Sequence, residues 1–232
     1  MQASASTGRR AGLTQDRVID AALSLSEEVG IDGWSIRDIT KSLGVVPSVV
    51  YHYFHNKEAL CDAVVDRIWA SIQLPDEDKE WREWFTEMVH QIRAVLLRYY
   101  GVTDRLARGK FTEGALPVLD ASYRKLEQAG FGDQIALVYT IITNSTLHAI
   151  GARNLRTTHQ KGERHDLNEL LDRLKPMMTR SVGLKNMVES YFEPLSHPDN
   201  ESRMSDEYFD LLLKVVFDGL EQTFLRDGRN HD

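Results

Sequence analysis

Between Gly44 and Lys57 the chain reads Gly-Val-Val-Pro-Ser-Val-Val-Tyr-His-Tyr-Phe-His-Asn-Lys, setting hydroxyl, phenol and imidazole groups among valines. Ser48 and His52 can exchange hydrogen bonds with base edges, and Val49 can pack on a thymine methyl. Tyr51, Tyr53 and Lys57 can reach phosphate oxygens. Such side chains read a duplex only if a short helix presents them together. A second pattern carries different chemistry. Glu87-x-x-His90 would place a carboxylate and an imidazole on one helix face, as di-iron bundles do. Those sites need a second such pair and further carboxylates, and the sequence has no other Glu-x-x-His. The pairs His52/His55 and His159/His165 lack converging acids or thiols, and there is no Gly-rich phosphate loop or nucleophile elbow. No catalytic residue, metal ligand or cofactor is therefore expected; a helical metal-dependent enzyme stays the minor alternative.

The flanking residues supply the presentation. Ser35-Ile-Arg-Asp38 reads as a capping box opening a helix that buries Ile36, Ile39 and Leu43. Gly44 can take the positive φ that ends it, and Pro47 suits the first turn of the next. Val50 and Phe54, four apart, form the inward face of that short helix, and Asn56 caps another. Two short helices joined by a glycine turn, the second with a polar-aromatic outer face, make a helix-turn-helix. Elsewhere the periodicity is helical throughout, and the fold class is all-α. Thr14 caps a first helix with Val18, Ala22, Leu25 and Val29 on one stripe. Further helices are predicted over about 57–73, 80–100, 114–129, 133–157, 166–192 (interrupted near Pro176 and Gly183) and 206–226. Trp84, Met88, Ile92, Val95 and Tyr99 form the stripe of the 80–100 helix. Arg156–Arg164 and Glu193–Ser205 read as polar connections, and Leu74-Pro-Asp-Glu-Asp-Lys79 as the boundary between modules.

Composition narrows the class. Residues 1–12 lack the apolar core of a signal peptide, and no stretch approaches the roughly 20 apolar residues of a membrane span. The single cysteine, Cys61, excludes an internal disulfide and fits a reducing cytoplasm. A net charge of −7 is wrong for a protein that coats nucleic acid everywhere. Even residues 1–57 balance acids against bases, so binding would rest on a few placed cations and helix N-termini.

The segments Val18-Ile-Asp-Ala-Ala-Leu23, Gly30-Ile-Asp-Gly33, Ser35-Ile-Arg-Asp-Ile39, Leu43-Gly-Val45, Tyr51-His-Tyr-Phe54 and Asn56-Lys-Glu-Ala-Leu60 resemble, in order, the N-terminal domain of TetR-family transcriptional regulators. More weakly, Leu96-Leu-Arg-Tyr99, Leu126-Glu-Gln-Ala-Gly-Phe131 and Tyr139 resemble the regulatory domain of tetracycline repressors. The resemblance implies a flexible arm (1–12), a helix-turn-helix DNA-binding domain with its connecting helix (13–73) and a helical effector-binding and dimerisation domain (74–232). It implies groove-facing roles for Pro47, Ser48, Val49, Tyr51, His52 and Tyr53, with Val45 and Val50 inward. Lys57 matches a backbone-contacting lysine, and Arg37 is placed for phosphate. The alternative is that Tyr51 and Tyr53 belong to the domain core. The recognition face has no Arg, Gln or Asn, so direct readout should be modest and supplemented by DNA shape. Arg9 and Arg10 would enter a minor groove or be plain tail.

In the regulatory half, the resemblance aligns Gln73, Met88, Ile92, Leu106, Ser122 and Tyr123 with pocket-lining positions, and Asn144 and His148 could add polar contacts. His148 could equally belong to a dimer seam built from the two apolar helices near 133–157 and 206–226. The metal-binding histidine of tetracycline repressors falls on Leu106, and no acidic residue occurs between Asp133 and Glu163 to serve as its partner glutamate. A tetracycline–magnesium inducer is therefore not expected. The implied protein is a cytoplasmic homodimer that binds double-stranded DNA at a palindromic operator, released by a small hydrophobic or aromatic effector. Repression is the expected direction, activation the alternative.

Overall fold

The computed structural model describes residues 13–157 and 166–226. Helix α1 (Gln15–Val29) starts where the Thr14 hydroxyl accepts the Arg17 amide, and α2 (Ile36–Leu43) starts at a full Ser35/Asp38 capping box. Gly44, at φ 65°, ends α2 in the left-handed conformation that only glycine adopts without strain. Helix α3 (Pro47–Tyr53) follows at once, with Pro47 in its first turn and no side-chain cap at Val46. Asn56 Oδ1 accepts the Ala59 amide and opens α4 (Lys57–Ala70). The sequence thus carries its own start and stop signals through the head, and the helices begin and end on them.

Beyond the 74–80 loop come α5 (Trp81–Arg98), α6 (Val102–Ala107), a 3₁₀ turn (Glu113–Ala115), α7 (Leu116–Gln128) and α8 (Ile135–Thr157). After the undescribed tract come α9 (Leu167–Met178), α10 (Val182–Met187), α11 (Glu193–Ser196) and α12 (Pro198–Leu220). No strand occurs among the described residues. One continuous apolar core runs from Val18 in α1 to Leu220 in α12, so head and regulatory half share packing. Trp81 stands edge-on to Phe131 at 5.2 Å and to Phe217 at 5.3 Å, clamping α12 onto α5. Arg82 adds ion pairs to Asp218 (2.5 Å) and Glu221 (2.9 Å) across the same contact. Edge-to-face aromatic pairs of this kind add about 0.5–1.5 kcal/mol each beyond burial.

Two expectations need correction. The 193–205 stretch is helical: Pro194 and Pro198 stand in the first turns of α11 and α12. There the missing N–H is no loss, so the prolines start two helices, parted only at His197, where a polar connection was expected. The break expected near Pro176 and Gly183 is present: Pro176 stands in the last turn of α9, which ends at Met178, and α10 begins at Val182. Finally, residues 132–156 are long and apolar enough to cross a membrane by length and composition. This helix packs instead along α5, α6, α7 and α12. Its C-terminal Arg153 and Asn154 bond to Asp206 (3.0 Å) and the Leu96 carbonyl (3.1 Å).

Candidate nucleic-acid interface and effector cavity

Helix α3 divides cleanly into two faces. Val50 is fully buried and Phe54, which caps its end, nearly so. Pro47, Ser48, Tyr51 and His52 are exposed, Tyr51 by 50%, and Val49 is half-buried between the faces. Arg37 is exposed on α2. A helix anchored by one side and polar on the other can lie in a major groove, about 12 Å wide. Two of the residues expected to touch DNA already have partners inside the protein. Tyr53 Oη donates to the Leu13 carbonyl at 2.5 Å, tying the recognition helix to the root of the N-terminal segment. Lys57 Nζ donates to the Asp32 carbonyl at 2.7 Å and sits 4.8 Å from the Trp34 ring centre. Both are bonded into the head from the far ends of long side chains. Arg9 and Arg10 lie outside the described residues.

Charge makes the placement of cations consequential. Residues 13–73 hold five basic residues, Arg17, Arg37, Lys41, Lys57 and Arg67, against nine acidic ones. Arg67 is itself spent on Asp16 (2.6 Å) and Asp20 (3.0 Å). The head is therefore acidic overall, and its approach to a polyanion depends on a few outward groups rather than on a field.

Helices α4 to α8 form a partly open cavity of about 200 Å³. Trp69 of α4, Met88, Val89 and Ile92 of α5, Leu106 of α6, Val118 of α7 and Tyr139, Ile142, Thr143, Thr146 and Leu147 of α8 form its wall, with Phe111 and Ala115 between α6 and α7. Of the residues expected to bind an effector, Met88, Ile92 and Leu106 meet here. Ser122 is buried behind them, its hydroxyl donating to the Val118 carbonyl at 2.7 Å with Met88 Sδ 3.6 Å away. Gln73, Tyr123 and Asn144 are exposed and away from the wall. His148 lines a separate polar cleft with Arg93, Arg153 and Tyr208. Sequence reasoning missed Trp69, Phe111, Thr143 and Thr146. Trp69 was within reach of it, since it lies four residues beyond Val65 and eight beyond Cys61 on one buried stripe.

Head and cavity meet along α4. Arg105, beside Leu106 of the cavity wall, has only 3% of its side chain exposed. Its guanidinium pairs with Asp32 (3.0 Å), Glu58 (2.6 Å) and Asp62 (3.3 Å) of the head. Lys110 also pairs with Glu58, and its hydrogen bond, with Arg105 adding to it, holds the Glu58 carboxyl below the usual range. The Gly114 amide donates to Asp66 Oδ1 at 2.6 Å, and the Ile31 amide donates to the Tyr100 carbonyl at 2.9 Å. A Cβ on Gly114 would stand 2.7 Å from Asp66 Oδ1 and 2.8 Å from Asp66 Cα, so only glycine permits this approach. Burial pushes the Cys61 thiol, on the same helix, up to about 11.

The Glu87/His90 pair is engaged elsewhere: Glu87 with Lys79 at 2.8 Å, His90 Nε2 with Asp210 at 3.1 Å. Among the described residues no group of three or more His, Cys, Asp and Glu side chains comes together as a metal site.

Residues 18–64 match the family model for bacterial regulatory proteins of the tetR family, and residues 74–224 that of the tetracyclin repressor-like C-terminal domain. The chain is 34% identical over 134 residues to the class A tetracycline repressor protein from transposon 1721 of Escherichia coli. That alignment covers 56% of this chain and 62% of the relative, less than two thirds of its length. ActR of Streptomyces coelicolor, solved in complex with actinorhodin, superposes with a TM-score of 0.69 at 21% identity, over 90% of this chain and 96% of that one. BioQ, solved with its double-stranded DNA operator, gives 0.56 at 24% identity, over 63% and 90%. Such structural likenesses show the fold, a helix-turn-helix head on a helical C-terminal domain. With its regulatory half alone matched over 74–224, the chain belongs to the TetR family of bacterial regulatory proteins.

Proposed function

We propose that this protein is a homodimeric, ligand-responsive transcriptional repressor: α3 binds a palindromic operator and a small hydrophobic effector in the α4–α8 cavity releases it. The observation that carries the reading is α4 itself, which begins beside the recognition helix at Lys57 and ends in the cavity wall at Trp69. Residues 13–73 act as the DNA-binding unit and 74–232 as the effector and dimerisation unit, with residues 1–12 an arm. Ser48 and His52 read base edges, Val49 a thymine methyl, and Pro47 and Tyr51 line the groove; Arg37 and Lys57 serve phosphates. Tyr53 does so only by giving up its bond to Leu13. ActR with actinorhodin and BioQ with its operator support the two halves of this reading. The protein acts in the cytoplasm and is not an enzyme.

A palindromic operator needs two heads about one helical turn of DNA, roughly 34 Å, apart, and one chain carries one. Leu137 on α8 and Leu211 and Val215 on α12 are exposed, the latter two by 60% each. That apolar face is the seam we assign to the second copy.

Release follows from differential binding: a ligand shifts the head only by as much as it prefers one arrangement of α4 over another. The Arg105–carboxylate cluster and the Gly114–Asp66 contact make α4 and the cavity wall move together. A coupling of about 1–3 kcal/mol, common in allostery, changes operator affinity roughly 5- to 150-fold. Salt-dependent binding of the purified protein to duplex DNA, with its mass in solution, tests the reading. A dimer whose affinity falls steeply with salt is expected; a monomer, or a protein indifferent to duplex DNA at low salt, overturns it.

A further inference from the structure

The cavity wall is apolar, yet two of its residues hold polar atoms without a partner. Trp69 Nε1 and Thr146 Oγ1 are shielded from solvent, and among the described residues neither finds a hydrogen-bond partner. Apart from Thr112 Oγ1, which is likewise unpaired and lies outside this wall, buried groups of these types are served. Trp34 Nε1 donates to Ser26 Oγ at 2.7 Å, Trp84 Nε1 to the Pro75 carbonyl at 3.2 Å, and the Thr143 hydroxyl to the Tyr139 carbonyl at 2.8 Å. An unpaired buried donor carries its full desolvation penalty, and folded proteins seldom leave one so. Here two fall in the wall of one cavity. Among the described residues that wall contains no Asp, Glu, Lys, Arg or His, so a charged ligand would lose hydration and find no counter-charge among them.

We propose that the effector is a neutral, mainly aromatic molecule with a carbonyl or ether oxygen that accepts a hydrogen bond from Trp69 Nε1, the indole turning to present the now-shielded donor to the cavity. The Thr146 hydroxyl is the second polar contact. The inference rests on reading the cavity as the effector site and adds what that site selects. Trp69 is the penultimate residue of α4. A bond made to it therefore acts on the helix that carries the DNA head, and recognition of the acceptor and displacement of the head become one event. Size points the same way. A cavity of about 200 Å³ exceeds the roughly 150 Å³ that accepts benzene, and it suits a fused bicycle. Anything larger enters by displacing Phe111, which stands 58% exposed at the rim.

A matched pair of probes tests this: 1-tetralone, which has a carbonyl, and tetralin, which has none, with 1-naphthoate as the charged control. Calorimetry and thermal shifts on the full chain compare wild type with Trp69→Phe and Thr146→Val. Wild type should bind tetralone about fivefold or more tighter than tetralin, the worth of one net hydrogen bond, and should not bind naphthoate. Trp69→Phe should bring the pair to within about twofold while tetralin binding persists, which also shows the variant is folded. Thr146→Val should narrow the gap in part. Equal wild-type affinities, a tetralone preference that survives both variants, or tightest binding by naphthoate would overturn the proposal. So would failure of every probe to bind, which removes the cavity as a ligand site. Ligands that bind in the expected order yet leave DNA affinity unchanged keep the acceptor assignment and retire the cavity as the regulatory site.

Discussion

Apart from Arg37 on α2, the residues offered to DNA come from one short stretch, Pro47 to Lys57, and most of them stand in solvent, whereas the effector cavity draws on five helices from Trp69 to Leu147 and faces inward. The first is assembled by local rules, caps and a glycine turn, and costs little tertiary packing to maintain. The second exists only if α4 to α8 pack at the right separations. The difference says where each region should fail. Surface changes in the head should alter what is recognised and leave stability alone. Changes at the junction should disturb stability and communication together.

Gly114→Ala should be the most damaging change, because the new methyl meets the backbone of α4. A loss of about 2–3 kcal/mol in denaturant unfolding is expected, typical of overpacking without room to relax. A stability within about 0.5 kcal/mol of wild type would mean that the α4 contact is loose.

Arg105→Met comes next. It leaves Asp32, Glu58 and Asp62 facing one another, though each carboxylate is about half exposed and solvent screens the repulsion. A loss of about 1–2 kcal/mol at neutral pH follows. The folded-state pKa of Glu58 is depressed, so its contribution is present above the ordinary value near 4.3 and lost as pH falls through the folded value. The gap between wild type and variant should therefore narrow as pH drops below about 4. A gap that widens in acid would contradict the cluster's role.

His52→Ala should cost no stability and change preference among operator bases by about 1–3 kcal/mol at the position it reads. Uniform weakening across sequences would instead make it a backbone contact.

Tyr53→Phe has a smaller effect of about 0.5–1.5 kcal/mol in operator affinity. Its value lies in a cycle with Arg9→Ala/Arg10→Ala. If Tyr53 acts by holding the root of the arm through Leu13, its loss should matter less once the arginines are gone. Equal losses in both backgrounds would return Tyr53 to direct phosphate contact.

Least of all, Cys61 should resist alkylation at neutral pH until the protein unfolds, since a thiol raised to about 11 leaves roughly one molecule in ten thousand as thiolate.

The contrast also explains what was legible beforehand. Thr14, Ser35/Asp38, Gly44, Pro47 and Asn56 act through neighbours three or four residues away, so their spacing alone locates α1 to α4. Pro194 and Pro198 misled because proline at a helix start and proline in a loop look alike in one dimension. In the cavity, periodicity marks Met88 and Ile92 as inward-facing and family likeness adds Leu106. Neither reveals which inward residues border a void and which, like Ser122, are closed over by packing. That Trp69 and Thr146 hold unpaired polar atoms depends on the positions of neighbouring helices, which no local pattern encodes.

Selection of bound fragments from a pool of random duplexes, using the full chain, bears most directly on α3 as the reading element. Enrichment of a two-fold symmetric motif with half-site centres about 10 base pairs apart is predicted, with the motif altered when Ser48→Ala and His52→Ala are combined. A pool that stays unenriched, or a motif identical in the double variant, would contradict it.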